Sequence, residues 1–449
     1  MMGDGRILVG CGAGFSGDRL DAPGPVVETL ARSGLPAAIM FETLGERTLA
    51  LAQLDRARDP ERGYEPLLEP LLEPVLDSCL RHGIRILGNF GAANPRAAAQ
   101  RILEMGRRLG CRPMRVAVVT GDDLAAASLL DRIEAEDGTP LTVTAPISAN
   151  AYVGAGPMAR ALALGADVVV AGRVADPSLA LAPFLHHHGW AEDDWRRIAC
   201  GTLAGHLLEC GSQVTGGYFA DPGVKDVPDP HRIGFPIVAM DADGGFTIGK
   251  AEDTGGLVDR RTVSEQILYE VHDPAAYLTP DVTLDITCVE LVPDGPDRVR
   301  VTGAAGRPRP ERLKVTVGYD GGWLGEGEIS YAGPNAVARA RLALDVVKRR
   351  LPADCRVRGD IVGVSSVFGD DGGQRLAGRA PAVEDVRMRI AVATPERAVA
   401  ERAAQEVLAL YTCGPAGGGG VRTAVRQRIA TASGYIPRAL VRPDIEILE

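Results

Sequence analysis

Five short apolar segments alternate with longer segments of helical spacing across the first 190 residues, which restricts the fold more than any other feature. Each segment is continuously apolar and so predicts a strand buried on both faces. Such strands, joined by helices, form a parallel sheet covered on both sides. The predicted strands are Arg6–Gly10, Ala37–Phe41, Ile84–Gly88, Arg115–Thr120 and Asp167–Ala171, with helices at Arg96–Leu109 and Leu124–Glu136.

A second domain is predicted after Thr215–Pro236, a stretch rich in Gly, Pro and Asp that indicates a linker or a binding loop. The chain has 449 residues, and single cores stop growing near about 250–300 residues. We therefore predict an α/β parallel-sheet domain over residues 1–225 and a mixed α+β domain over 226–449. The later strands are predicted at Phe246–Gly249, Val282–Glu290, Arg298–Thr302, Leu313–Tyr319, Asp360–Val367 and Val386–Val392, with helices at Ala336–Arg350 and Pro395–Tyr411.

Charge and composition argue against several classes of partner. The formal charge is −10, so a surface that follows nucleic-acid phosphates is not expected. No apolar run reaches the roughly 20 residues that cross a bilayer, and the N-terminus lacks a signal-peptide pattern. Eight scattered cysteines without a CxxC pair indicate free thiols in a reducing compartment. We expect a cytoplasmic protein, and a homo-oligomer by default.

Three glycines follow the first predicted strand. Gly12, Gly14 and Gly17 have the spacing of a dinucleotide-binding fingerprint. A helix should begin at the third glycine of such a motif, but Asp18 and Asp21 follow it, and their carboxylates would repel a pyrophosphate. We favour a tight turn whose backbone approaches a different ligand, with Asp18 and Arg19 as polar contacts. Nicotinamide or flavin binding is the less favoured alternative.

Polar residues follow four predicted strands at the edge where ligands bind in open α/β sheets. They are Asp18, Asn89, Asn94, Asp122, Arg173 and Asp176. Arg173 is the candidate that would bind a carboxylate or phosphate bidentately, although an ion pair with Asp176 is a structural alternative. Asn94 and Asp176 each precede a proline, so each would also serve as a helix N-cap.

Two further motifs are candidates for chemistry. His206 and Glu209 share one face of a predicted helix and would form an acid/base pair, or else a buried structural histidine with its partner. Two ligands do not make a zinc site, and no third is placed by spacing, so no metal is predicted. In YTCGPAGGGGVR, Gly418 and Gly419 would contact an anion or a thioester oxygen through backbone N–H groups, or would form a flexible hinge.

Long strings across nearly the whole chain resemble the acyclic terpene utilisation (AtuA-like) family. They include GFSGDRLDA, GNFGAANP, VVTGDDL, VVVAGRVADPSLALAPFLHHHGW, AGHLLECGSQVTGGYFADPG, IGFPIVAMDADGGF and YTCGPAGGGGVR. The resemblance implies a role in bacterial catabolism of citronellol- and geraniol-type compounds, whose branched acids are processed as CoA thioesters. It also implies that a small companion subunit would supply a C-terminal domain that many members carry.

These observations lead to two hypotheses. The first is a catabolic enzyme of carboxylic-acid or branched acyl-CoA degradation with lyase or hydratase chemistry. Glu209 or Asp18 would be its base, His206 its acid and Arg173 its anion-binding group. CoA would enter only as part of the substrate. The alternative is a non-catalytic ligand-binding or scaffold subunit of a degradative complex, which the lack of a complete catalytic motif favours.

Overall fold

The computed structural model describes residues 5–126, 128–369 and 383–449. Its strands are β1 (Ile7–Ala13), β2 (Ala37–Phe41), β3 (Arg85–Gly88), β4 (Val116–Thr120), β5 (Pro146–Ala151), β6 (Val168–Ala171), β7 (Pro236–Met240), β8 (Phe246–Lys250), β9 (Tyr277–Leu278), β10 (Thr283–Asp285), β11 (Glu290–Pro293), β12 (Val299–Thr302), β13 (Ala305–Arg307), β14 (Arg312–Ala332), β15 (Arg356–Val362), β16 (Asp385–Thr394), β17 (Gly419–Pro437) and β18 (Asp444–Leu448). Its helices are α1 (Pro23–Ser33), α2 (Glu46–Arg58), α3 (Leu68–Leu72), α4 (Leu76–His82), α5 (Pro95–Leu109), α6 (Gly156–Ala163), α7 (Ser178–His188), α8 (Trp195–Glu209), α9 (Arg260–Leu268), α10 (Ala336–Arg350) and α11 (Arg397–Cys413).

The predicted parallel strands form the centre of a ten-stranded sheet. β1, β2, β3, β6 and β4 lie side by side in that order, and each adjacent pair is parallel. Every residue of β2 and of β6 is buried. Because successive side chains of a strand point to opposite faces, both faces of the sheet are covered there. The carboxyl ends of these five strands therefore lie along one edge.

The complete sheet is mixed, not parallel. β7 pairs antiparallel with β1, and β18, close to the end of the chain, pairs antiparallel with β4. Thr215–Pro236 thus precedes a strand of the same sheet. The compact units have other bounds than the predicted domains: the first comprises Met1–Gly318 and Thr431–Glu449, and the second Tyr319–Ala430. The predicted boundary at residue 225 differs because hydrogen bonding between β7 and β1 joins sequence on both sides of it.

The predicted helix over Leu124–Glu136 is wrong. Apart from a short 3-10 turn at Leu130–Arg132, the described residues of this stretch are irregular. The Leu124 N–H donates to Ala149 O at 2.8 Å, and the Glu134 N–H donates to Tyr435 O at 2.9 Å. These tertiary hydrogen bonds replace the i to i−4 bonds of a helix, so packing overrides the helical spacing of the apolar residues.

The second unit has the α+β character predicted for the C-terminal half. Within it the chain runs through β14, α10, β15, β16, α11 and β17, with sheet order β15-β16-β14-β17. This is the β-α-β-β-α-β order of ferredoxin-like folds. In β16, Val386, Met388, Ile390 and Val392 alternate with more exposed residues and pack into one core with α10 and α11. No helix of the described ranges has the length and hydrophobicity of a bilayer-spanning segment.

Candidate functional site

A buried polar network lies at the carboxyl ends of the parallel strands, and Glu42 is part of it. Glu42 directly follows β2, is 7% exposed, and its N–H donates to Ala13 O. Its Oε1 accepts from the Leu44 N–H at 2.8 Å and from Asn89 Nδ2 at 2.9 Å. Asn89 Oδ1 in turn accepts from the Thr43 N–H at 2.8 Å. The loops after β2 and β3 are therefore joined through two side chains.

Arg173, after β6, connects this network to the next loops. It is 2% exposed; its Nη1 donates to Leu44 O and its Nη2 to Asp176 Oδ1 at 2.5 Å. The structural alternative for Arg173, an ion pair with Asp176, is thus present. Nη1 and Nη2 each carry a second N–H, so these two bonds use only part of the donor capacity of Arg173. The Arg173 Nε has no partner among the described residues.

An aromatic ring and a second ion pair support the guanidinium. The Arg173 Cζ lies 4.1 Å from the ring centroid of Tyr152. The Tyr152 hydroxyl donates to Glu46 Oε1 at 2.7 Å, and Lys314 Nζ lies 3.4 Å from the same oxygen. Burial alone would raise the pKa of Glu46, but the Tyr152 hydrogen bond and the nearby Arg173 and Lys314 lower it to about 2. Glu46 is therefore ionised at neutral pH.

His206 and Glu209 form the predicted pair at the end of α8. His206 Nδ1 lies 2.8 Å from Glu209 Oε1, and the side chains are 1% and 9% exposed. Burial raises the pKa of Glu209 to about 7. Burial opposes the charge of His206, but Glu209 raises its pKa above the ordinary value. Glu209 therefore changes its protonation state near neutral pH. His206 Nε2 and Glu209 Oε2 have no partner within the described part of the chain.

Asp176 brings the two halves of the site together. Its side chain is 35% exposed, well above the 9% of the Glu209 side chain. Burial raises its own pKa, and its charge contributes to raising the pKa values of Glu42, Glu209 and Tyr277. The Tyr277 ring lies 5.5 Å from the His206 ring, edge to face. One cluster thus contains three carboxyl groups with raised pKa values, one guanidinium and one imidazole.

The glycine motif at the end of β1 has a packing role. A Cβ on Gly14 would lie 2.4 Å from the backbone nitrogen of Gly211, so glycine permits the first loop to approach the end of α8. Asp18 Oδ2 accepts from the Gly14 N–H and its Oδ1 from the Arg19 N–H, each at 2.8 Å. Gly12 packs against the Phe41 ring, and Gly17 has φ of +100°. Both carboxylate oxygens of Asp18 therefore accept hydrogen bonds within the loop, which makes Asp18 a less suitable base than Glu209.

Other predicted ligand-binding residues have structural partners. Asn94 is the N-cap of α5, and its Nδ2 donates to Pro60 O and Arg62 O. This is the cap alternative, which leaves no Asn94 N–H for a ligand. Asp122 Oδ2 accepts from the Arg173 N–H and from Asn150 Nδ2, both at 2.8 Å, so it positions the Arg173 backbone. α7 begins at Ser178 with Pro177 at the N-cap position, so Asp176 is not its N-cap residue.

Gly418 and Gly419 lie in the second unit. A Cβ on Gly418 would contact Ile329 and Tyr331, and Gly419 begins β17. Their contact with an anion remains a prediction.

Two clefts among the described residues share no residue with the network. One of about 580 Å³ is lined by residues that include Arg32 and Lys250, and one of about 510 Å³ by residues that include Arg107 and Met114. The candidate site is therefore identified by its buried titratable groups and not by cavity volume. Among the residues that the structure describes, no group of three His, Cys, Asp or Glu side chains is arranged to hold a metal ion.

Sequence reasoning missed Glu42, Glu46, Tyr152 and Tyr277. Glu42 could have been identified, because the polar segment ETLGE follows a predicted strand just as the other strand-end loops do. Tyr152 and Tyr277 reach the site from later parts of the chain, and only tertiary packing brings them there.

Comparison with protein families agrees with the resemblance. The model of the acyclic terpene utilisation family protein AtuA matches residues 7–447, nearly the whole chain. No curated protein and no solved structure matches the chain significantly.

Proposed function

Because this chain belongs to the acyclic terpene utilisation (AtuA) family, we propose that it is a catabolic enzyme acting on a carboxylic acid or a branched acyl-CoA thioester. Family membership indicates a role in acyclic terpene utilisation, and the proposal adds lyase or hydratase chemistry. The observation that carries it is the buried His206–Glu209 pair near the Asp176 carboxylate; within the described part of the chain, Nε2 and Oε2 have no hydrogen-bond partner.

Lyase and hydratase reactions of acyl compounds remove a proton next to a carbonyl and transfer another to the departing oxygen. Glu209 is suited to be the base because its pKa of about 7 is close to the working pH. His206, held by Glu209 through Nδ1, would present Nε2 as the acid. In dehydration, Glu209 takes the α-proton while Nε2–H protonates the β-hydroxyl. The C–O electrons leave with the oxygen, so one water is released.

Arg173 supplies the positive charge at this site. Its guanidinium is held by Leu44 O, by Asp176 and by the Tyr152 ring. It would stabilise negative charge that develops on a substrate oxygen, with Nε–H, which has no partner among the described residues, as one of its donors.

The direct test measures hydration of a 3-methyl-2-enoyl-CoA thioester by wild type, Glu209→Gln and Glu65→Gln. The readout is the loss of absorbance of the conjugated double bond. Glu65 is a matched control, since it is also buried but hydrogen bonds to the Leu67 N–H. We expect Glu209→Gln to lose about 10²- to 10⁴-fold in kcat, and Glu65→Gln to retain activity. Equal activity of Glu209→Gln and wild type would remove Glu209 from the mechanism.

Thermal denaturation of the wild-type protein distinguishes the enzyme from the alternative, a non-catalytic binding subunit. A thioester that raises the thermal midpoint without turnover would support ligand binding that needs a companion subunit for chemistry. If acyl-CoA thioesters and free acids gave no midpoint shift and no turnover, both hypotheses would be contradicted.

A further inference from the structure

Glu42 has no assigned role in this chemistry, although it occupies a central strand end. It follows β2, which lies between β1 and β3 in the sheet. Only 7% of the residue is exposed, and its backbone is fixed by the hydrogen bond to Ala13 O. Such a carboxyl group is expensive to bury unless it is neutral or paired.

The hydrogen bonds of Glu42 distinguish its two oxygens. Both donors, the Leu44 N–H and Asn89 Nδ2, point to Oε1. A carbonyl-type oxygen accepts two such bonds, so the proton of a neutral acid belongs on Oε2. Asn89 cannot rotate freely to donate elsewhere, because its Oδ1 is held by the Thr43 N–H. Asn89 is therefore a positioning residue for Glu42.

Charged and titratable groups approach Glu42 from three directions. They are Cys11 from β1, Arg173 and Asp176 from the loop after β6, and Cys210 from the end of α8. Arg173 is the only cation among them, and its Nη2 already binds Asp176. Glu42 and Asp176 thus share one positive charge, which favours ionisation of the carboxylate that holds the ion pair.

We infer that Glu42 is a further functional residue of this site: a carboxylic acid that stays neutral, is oriented by Asn89 and Leu44, and donates Oε2–H to the carbonyl oxygen of a bound substrate. The inference rests on the proposed function for the identity of that oxygen. Abstraction of the α-proton by Glu209 moves negative charge onto the carbonyl oxygen. A neutral acid placed in a buried site stabilises such an enolate by a strong hydrogen bond. No proton needs to leave Glu42.

Two substitutions separate a hydrogen-bond donor from a proton carrier. In Glu42→Gln, the amide oxygen replaces Oε1 as acceptor, and the amide N–H₂ replaces Oε2–H as donor. Glu42→Leu removes both. We expect Glu42→Gln to retain kcat for the 3-methyl-2-enoyl-CoA thioester within about tenfold, and Glu42→Leu to lose about 10²- to 10³-fold, the usual effect of removing one oxyanion donor. Wild-type kcat should also fall above about pH 8, where Glu42 ionises, and Glu42→Gln should lack this step and keep only the titration of the His206–Glu209 pair.

Infrared spectroscopy of the resting protein tests the neutral state without turnover. Wild type at neutral pH should show the carbonyl band of a protonated carboxylic acid that Glu42→Gln lacks and Glu65→Gln retains. Absence of that difference would overturn the inference, whatever the activity. Equal loss of kcat in Glu42→Gln and Glu42→Leu would overturn the donor role. No thioester turnover by wild type, with the band present, would refute the proposed function but support the neutral state of Glu42.

Discussion

Replacement of Glu42 by glutamine should change the pH dependence of folding stability, independently of any substrate. Burial, and to a lesser extent the charge of Asp176, raise the pKa of Glu42 from 4.5 to about 8. The folded state therefore holds a proton that the unfolded state releases above about pH 4.5. A raised carboxyl pKa contributes stability that is complete below the unfolded value and is lost as the pH rises through the folded one.

The magnitude follows from the difference between the two pKa values. Each pKa unit corresponds to about 1.36 kcal/mol, so wild type should lose up to about 5 kcal/mol of unfolding free energy between about pH 4.5 and about pH 8.5. Glu42→Gln lacks this titration. The variant can lose a constant amount of about 1–3 kcal/mol if its new amide N–H₂ is unpaired, but that loss does not vary with pH.

Urea denaturation at a series of pH values, at constant ionic strength, measures the difference. The difference in unfolding free energy, variant minus wild type, should rise by several kcal/mol from about pH 5 to about pH 9. Glu61→Gln is the control, since Glu61 is exposed and its curve should parallel that of wild type. A difference that is constant with pH would refute the reasoning, because it would mean that Glu42 is ionised in the folded protein.

Two further substitutions test the framework of the site. Gly14→Ala should lower the unfolding free energy by about 1–3 kcal/mol, because its Cβ would lie 2.4 Å from the Gly211 nitrogen. Gly24→Ala is the control, because a Cβ there meets nothing within 4 Å. Equal midpoints of the two variants in thermal denaturation would contradict the close approach of Gly14 to Gly211. Asp281→Ala should cost about 2–4 kcal/mol, because the buried Asp281 accepts from the Ala155 N–H and the Ser178 hydroxyl at the starts of α6 and α7; an unchanged urea midpoint would show that these donors find other partners.

The central strands were predictable because their signal is local. Ala37–Phe41 was predicted at its observed bounds, and the other four central strands differ by at most a few residues. A continuous β-branched run between polar segments has few alternatives to a buried strand. The antiparallel partners of the sheet were not predictable in this way. The pairing of β18 with β4 depends on the path of the chain in three dimensions. No local sequence pattern encodes that path.

The site was predictable in location and less so in composition. The strand-end rule placed Asn89, Asp122, Arg173 and Asp176 at one edge of the sheet, and the i, i+3 spacing placed His206 beside Glu209. The strand-end rule did not distinguish residues that can bind a ligand from residues whose hydrogen bonds hold the loops in place. Asn94 and Asp122 have the same residue types as a ligand-binding group, but their hydrogen bonds are used within the protein. Only the three-dimensional partners separate these roles.

Competition for Arg173 explains why the carboxyl groups of this site have different charges. A single guanidinium cannot compensate two buried carboxylates fully, and Asp176 holds it by a direct ion pair. Asp176 is also more exposed, so water reduces the cost of its charge. Glu42 is buried, and the donors that the described residues offer it are neutral, so the proton remains there. Two neighbouring carboxyl groups with opposite protonation states are the arrangement from which acid and base roles arise in enzymes. The asymmetry follows from burial and hydrogen bonding, not from residue type.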